Sequence, residues 1–274
     1  MPFVDQTNDE YHSDDTAVSK SKLWKLWNKT PFHAKYEPYK PSHAFDFGTA
    51  AHTAILEPEL LESVITRGPE TRRGNQWKEA MDFAEFNNTT LLIEKDYDSV
   101  LVIRDLADTL SELRTLRNSE HLIEQSCYAM DEEFDIGIKC RGDFLSTELN
   151  IGLDIKNMAS ASPNEFDNSI GKFGYHMQDT MYRDVWRQGA GLEIETFFFI
   201  VFEKGDPPTV AMYEMDRNTA LEGYAVYRAA LKKYAEAFKN DEWPSYPTEI
   251  QPIGLRRYHY KLTKPELEMT YDDE

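Results

Sequence analysis

At 274 residues, 41% hydrophobic and 13% aromatic, the chain can bury a sizeable core and is expected to be globular. Its net charge of −19 argues against a surface that tracks phosphates over its whole extent, and two cysteines exclude a disulfide framework or a four-cysteine iron–sulfur cluster. No apolar run approaches a membrane span and Met1 to Asp15 lack signal-peptide character, so a cytoplasmic protein without a membrane partner is expected.

Residues 1–18 carry five acids and no Lys or Arg, and read as a flexible leader; residues 265–274 carry another five unopposed acids and read as a disordered tail. Setting these ten aside leaves −9 on residues 19–264, the expected single domain, and bound cations would neutralise part of that remainder. Ser19 to Trp27 reads as a short helix capped by Ser19; its lysines, beginning with Lys20, can touch a phosphate backbone, or the helix can simply pack Leu23, Leu26 and Trp27 on the core. A loop from Thr30 to Ser42 precedes a helix from Phe45 to Leu56, on which a lone His52 reads more readily as structural than as a ligand. Arg72 and Arg73 sit in a loop suited equally to phosphate contact and to solvation. A helix follows from about Gln76 to Phe86, and Ile103, Leu106, Leu110 and Leu113 mark a long structural helix over 94–117.

Leu122 to Met130 is strand-like and carries Glu124; beyond the loop at 131–137, strands over 138–146 and 151–157 flank the turn Thr147-Glu148-Leu149-Asn150 and form a hairpin. Residues two apart on a strand share a face, so Asp154 and Lys156 project together and the partner strand brings Asp143 beside them. Neighbouring carboxylates repel unless a hard cation sits between them, which points to Mg²⁺ or Mn²⁺, with the lysine acting on the attacking water or on developing negative charge. Such acids also arise as a surface cross-strand ion pair. Ser162-Pro163 opens one helix and Phe173 to Gln188 forms another, with Tyr175, Gln178 and Tyr182 on one face, facing either a bound strand or the sheet. Residues 195–203 read as a central strand buried on both faces, 209–215 as its neighbour, and 218–240 as a helix packing Leu221, Ala225, Leu231, Tyr234 and Phe238.

The order of these motifs resembles the PD-(D/E)xK nuclease superfamily and, more narrowly, the RecE-type exonucleases (exodeoxyribonuclease VIII) of phages and prophages. The likeness is carried by Tyr11-His12, Val18-Ser19-Lys20-Ser21, Gly48-Thr49-Ala50 with His52, Leu56-Glu57-Pro58-Glu59, Arg72-Arg73, Cys140-Arg141 before Asp143, Asp154-Ile155-Lys156, and Tyr175-His176-Met177-Gln178-Asp179 with Tyr182. It implies an α/β fold with a central mixed sheet flanked by helices. Asp143, Asp154, the Ile155 carbonyl, Glu124 and His52 would hold two metal ions; Lys156 would act on the nucleophilic water, and Gln178 and Tyr182 would orient the strand. The implied activity is 5′-to-3′ degradation of linear duplex DNA by a ring-shaped homo-oligomer, leaving 3′ single strands for an annealing partner in the host cytoplasm. Gly142 stands where the superfamily name has proline. An endonuclease of the same superfamily, a nuclease acting on single strands and a non-catalytic acidic interaction protein are the alternatives.

Overall fold

The structure, a computed structural model, describes residues 3–38 and 45–254, with the side chains of residues 45 and 46 left aside; the expected tail and part of the loop expected over 30–42 lie outside the described residues. A five-stranded mixed sheet runs in the order Thr209–Glu214, Thr196–Glu203, Ile151–Met158, Phe144–Ser146, His121–Ile123. Its middle pair, Thr196–Glu203 beside Ile151–Met158, is parallel and the other pairings are antiparallel. Aromatic and β-branched side chains on both faces of Thr196–Glu203 make it the core strand: Phe197, Phe199 and Val201 enter one apolar cluster, and Ile200 and Phe202 enter the other. Helices Tyr175–Ala190 and Arg217–Asn240 contribute to the first cluster, and Phe45–Leu56 and Glu94–Ala107 to the second, which gives the α/β layering expected from the sequence.

A second sheet of four strands runs in the order Phe3–Val4, Ser126–Asp131, Ile136–Arg141, Val18–Ser19. It is continuous along the chain with the first, because each expected long strand is interrupted opposite the other: 122–130 breaks at Glu124 and Gln125, and 138–146 breaks at Gly142 and Asp143. Two local features impose the bend. Glu124 adopts a left-handed φ of 48° and its N–H donates to the Asp143 carbonyl at 3.1 Å. At Gly142, a Cβ would lie 2.6 Å from Trp186, which is 1% exposed, so no side chain fits where the strand crosses that indole.

Other expectations shift for tertiary reasons. Residues 3–18, within the segment set apart above as a leader, are built against the second sheet: Phe3 pairs with Cys127, Val18 pairs with Ile138, and Tyr11 on helix Asn8–Ser13 is 5% exposed. Part of the expected loop at 30–42 is a helix, Pro31–Tyr36, capped by Thr30. The helix expected over 94–117 is two, Glu94–Ala107 and Ser111–Arg117; the turn between them lets Arg117 Nε donate to the Ile55 carbonyl at 2.7 Å, satisfying an end of the His52 helix. Leu221, Ala225 and Phe238 face solvent; the packed face of Arg217–Asn240 is Gly223, Val226, Tyr227, Ala230, Leu231 and Tyr234. Gly223 explains the rotation, since a Cβ there would lie 2.1 Å from the His176 carbonyl oxygen and only that stripe permits close helix contact. Trp27 is 38% exposed, whereas Leu23 and Leu26 are buried as expected.

Candidate active site

Strand alternation divides Ile151–Met158 between two environments. Leu153 and Ile155 enter the apolar cluster beneath the His52 helix, and Asp154 and Lys156 turn to the opposite face, toward helix Tyr175–Ala190. The antiparallel register pairs Phe144 with Leu153, and one step further along it Asp143 comes opposite Asp154 at the bend. The strand containing Phe144 ends there, so the Ile155 N–H has no ladder partner, and the Asp143 carboxylate accepts from it at 2.6 Å. His52 Nδ1 lies 3.9 Å from the same carboxylate oxygen. Asp154 is 3% exposed; one of its oxygens takes the Lys156 ammonium and the other accepts from Gln178 Nε2.

The electrostatics follow from burial and from like charges meeting. Burial first, and then the Asp154 charge, raise the Asp143 carboxyl above its ordinary range, against the opposing pull of His52, Lys156 and the Ile155 amide. For Lys156, burial alone would favour the neutral amine, but Asp154 and Asp143 outweigh it and hold the ammonium more firmly protonated than usual. Lys156 is therefore a hydrogen-bond donor and a positive charge at neutral pH rather than a ready base. Burial raises the phenols of Tyr175 and Tyr182. Lys20 is drawn down to about 7 by burial and by the nearby Lys156 ammonium.

These groups line one cleft of about 750 Å³. It gathers Asp143, Asp154, Ile155, Lys156, Glu124, His52, Gln178 and Tyr182 together with Ser19 and Lys20. Glu124 is turned away from the aspartates in part: its side chain is 50% exposed and pairs with Arg141 at 3.1 Å. Arg72 and Arg73 do not line the cleft; both are exposed, and Arg72 stacks over Trp77 instead. Asn8, Tyr11 and His12 add a wall drawn from the segment expected to be a flexible leader. Tyr175 carries both Lys20 and Lys156 against its ring, 5.6 and 4.8 Å from the centroid. The one sequence signal for these additions was motif context, as in Tyr11-His12 and Cys140-Arg141, because nothing in local periodicity carries Tyr11 or Arg141 to Asp143.

The arrangement suits a divalent cation in a limited way. Among the described residues no three His, Cys, Asp or Glu side chains form a ready-made metal cage. What the cleft floor holds is an oxygen-donor pair, the buried Asp154 and the partly buried Asp143, whose mutual repulsion a cation would relieve. Magnesium is commonly held by one or two carboxylates, with water and substrate phosphate completing its shell, and the pair fits that pattern.

A hairpin bent to oppose two acids, an Asp-x-Lys strand and a helix amide fixing the second acid define a nuclease-like site of the PD-(D/E)xK class. The sequence agrees: residues 21–254 match the model of a family described as "PDDEXK-like domain of unknown function (DUF3799)", and the chain belongs to that family. A search of curated proteins gives no match. Among solved structures, the fold is similar to a crystal structure from Eubacterium rectale named "Putative exonuclease", with a TM-score of 0.56 and 17% identity over 98% of each chain. A phage related exonuclease from Haemophilus somnus matches at 13% identity with a TM-score of 0.33, covering 85% of this chain and 99% of that one. Among the described residues no helix is long and apolar enough to cross a membrane.

Proposed function

We propose that this protein is a metal-dependent exodeoxyribonuclease that degrades linear double-stranded DNA from 5′ to 3′, in the manner of RecE-type enzymes, and leaves 3′ single strands for annealing. The observation that carries this reading is the meeting of Asp143, Asp154, Lys156 and Gln178 on the floor of one cleft, with both acids largely buried. Asp143, Asp154 and the Ile155 carbonyl would hold Mg²⁺ or Mn²⁺, which when bound supplies Lewis-acid polarisation of the phosphodiester and a more acidic attacking water. Glu124 and His52, on the same cleft, are the residues toward a second ion.

The chain's own contributions follow from the geometry. Gln178, donating to Asp154, locks the carboxylate in one rotamer, and the Ile155 N–H does the same for Asp143. Lys156, held protonated, donates to the attacking water or to a phosphoryl oxygen and offsets the charge that builds on phosphorus. Tyr182, buried against Trp186 and Phe197, presents a protonated phenol at the cleft to orient the strand. A ring-shaped homo-oligomer enclosing DNA and a single-strand annealing partner belong to the same proposal, supported by the RecE resemblance.

The test is digestion of linear duplex DNA labelled separately at its 5′ and 3′ ends, with Mg²⁺ or with EDTA, beside a covalently closed circle. Metal-dependent release of the 5′ label with the circle intact is expected. Cutting of the circle would make the protein an endonuclease, and no cleavage of any substrate would remove the enzymatic reading.

A further inference from the structure

A surface outside the acid-pair cleft combines positive charge with exposed aromatic rings. Residues 20–36 carry five lysines and no acid in a chain whose net charge is −19, and Trp24, Trp27, Phe32 and Tyr36 fall in the same stretch. Helix Lys20–Asn28 buries Leu23 and Leu26, and the six-residue helix Pro31–Tyr36 buries only Ala34, which leaves the rings of Phe32 and Tyr36 outside. These two rings have centroids 4.8 Å apart and are 44% and 56% exposed. Beyond helix Arg217–Asn240 the chain returns to them: the Phe32 N–H donates to the Pro244 carbonyl at 3.1 Å, and the ring of Tyr246, 60% exposed, lies 5.4 Å from that of His33. Lysines frame the rings. Lys35 lies over Trp243 at 5.2 Å and Lys233 over Trp27 at 5.3 Å, and neither has a carboxylate partner among the described residues. Lys25 and Lys29 share Glu37 at 3.8 and 2.7 Å, so that trio keeps a net positive charge. Single apolar side chains in solvent are ordinary, but three exposed rings gathered beside lysines mark an interaction surface.

We propose that Phe32, Tyr36 and Tyr246, with Lys29, Lys35 and Lys233, form a platform for single-stranded DNA, on which bases stack while the lysines hold the phosphates. The lysines select a polyanion, and the rings select one whose base faces are open, which a duplex does not offer. Stacking needs no base-specific hydrogen bond, in keeping with a surface that presents rings and ammonium groups rather than amides and carboxylates. The platform itself stands apart from the acid pair; that the strand it holds is the one left by cleavage rests on the nuclease reading above. A hollow of about 240 Å³ joins the two places: Tyr11, His12, Ser19 and Ser21 line both it and the cleft, and it continues to Ala34 and Lys35 on the platform helix. Asp15 and Glu37 on its wall are each met by lysines, Asp15 by Lys22 and Glu37 by Lys25 and Lys29. A single strand leaving the cleft on that side reaches Lys35 and the rings beside it.

The experiment separates stacking from charge. Fluorescence anisotropy in EDTA compares a labelled oligothymidylate of about 20 nucleotides with an abasic chain of the same length, on the wild type, the double variant Phe32→Ala with Tyr36→Ala, Tyr246→Ala, Tyr36→Trp and Lys35→Ala. The wild type should bind the oligothymidylate roughly tenfold more tightly than the abasic chain, and the double variant should lose that margin while binding the abasic chain as before. Tyr246→Ala should lose part of the margin, and Tyr36→Trp should keep it. Lys35→Ala should weaken binding of both chains and lower the slope of log affinity against log salt by about 0.7. Each substituted side chain is exposed, so the fold survives these changes. Photocrosslinking of a strand carrying 5-iodouracil, mapped by mass spectrometry, should mark Phe32, Tyr36 and Tyr246. Equal binding of the two chains by the wild type would overturn the platform, as would a margin that the double variant retains or crosslinks confined to the acid-pair cleft. Tighter binding of an acidic, aromatic peptide than of the oligothymidylate, lost in the double variant, would give the surface to a protein partner instead. Because binding is measured without metal, a wild type that binds in the expected pattern but cleaves no DNA in Mg²⁺ would refute the nuclease reading and leave the platform standing, and cleavage without base-dependent binding would do the reverse.

Discussion

Replacing Asp143 with asparagine should stabilise the metal-free protein while abolishing cleavage. The Asp143 side chain is 19% exposed, stands opposite Asp154, and has its carboxyl raised from 3.8 to about 6 by burial and by that second charge. Two pK units correspond to about 3 kcal/mol of destabilisation once the group is ionised. Because the folded pKa lies above the unfolded one, the cost is absent below about pH 4, grows through the window up to about 6 and is complete above it. Asparagine keeps an oxygen to accept the Ile155 N–H and removes the charge. Asp143→Asn should therefore melt roughly 6–10 °C above the wild type at pH 8 in EDTA, with the gain shrinking between pH 6 and 4. Added Mg²⁺ should raise the melting temperature of the wild type and not that of the variant, reversing the order. Scanning calorimetry across pH 4–8, with and without Mg²⁺, reads all of this. A variant less stable than the wild type at pH 8, or a gain that persists unchanged at pH 4, would refute the account of two ionised acids forced together in a cation's absence.

Asp154→Ala and Lys156→Ala should each abolish cleavage with the far-ultraviolet circular dichroism unchanged; near-normal turnover in either would defeat the site assignment. Gln178→Leu removes the amide that orients Asp154 and should lower kcat by about 10- to 100-fold with KM little altered, measured under saturating Mg²⁺. Gly142→Ala should cost about 1–3 kcal/mol in urea unfolding, because its methyl meets the benzo ring of Trp186, and Trp186→Phe in the same chain should recover part of that loss. Arg72→Ala with Arg73→Ala should leave DNA cleavage within about twofold, since both side chains lie outside the cleft, and a large loss would place the substrate on that loop.

The nuclease-like class is legible in the amino-acid sequence because its signals are local. On a strand, Asp154 and Lys156 share a face whatever the rest of the molecule does, and on a helix Tyr175, Gln178 and Tyr182 do the same. The buried character of 196–203 and the Ser162-Pro163 helix start are equally local. The faces and partners of other elements are not. Leu221 and Phe238 read as core by hydrophobicity alone, but the close contact at Gly223 turns the helix and leaves both in solvent. Net charge and absence of basic residues make 1–18 look detachable, yet Phe3, Tyr11 and Val18 find partners more than a hundred residues away.

At the site the division is sharpest. The sequence by itself determined which side chains have the chemistry and which of them travel together on one element, since that depends only on backbone period. The tertiary structure alone decided that Asp143 stands at a bend opposite Asp154, that Glu124 is drawn to Arg141, and that Ser19 and Lys20 open onto the same cleft while Arg72 and Arg73 do not. The physical reason is that the bend depends on Trp186 packing across Gly142 and the pairings on charges meeting through space, and neither leaves a periodic trace in the chain.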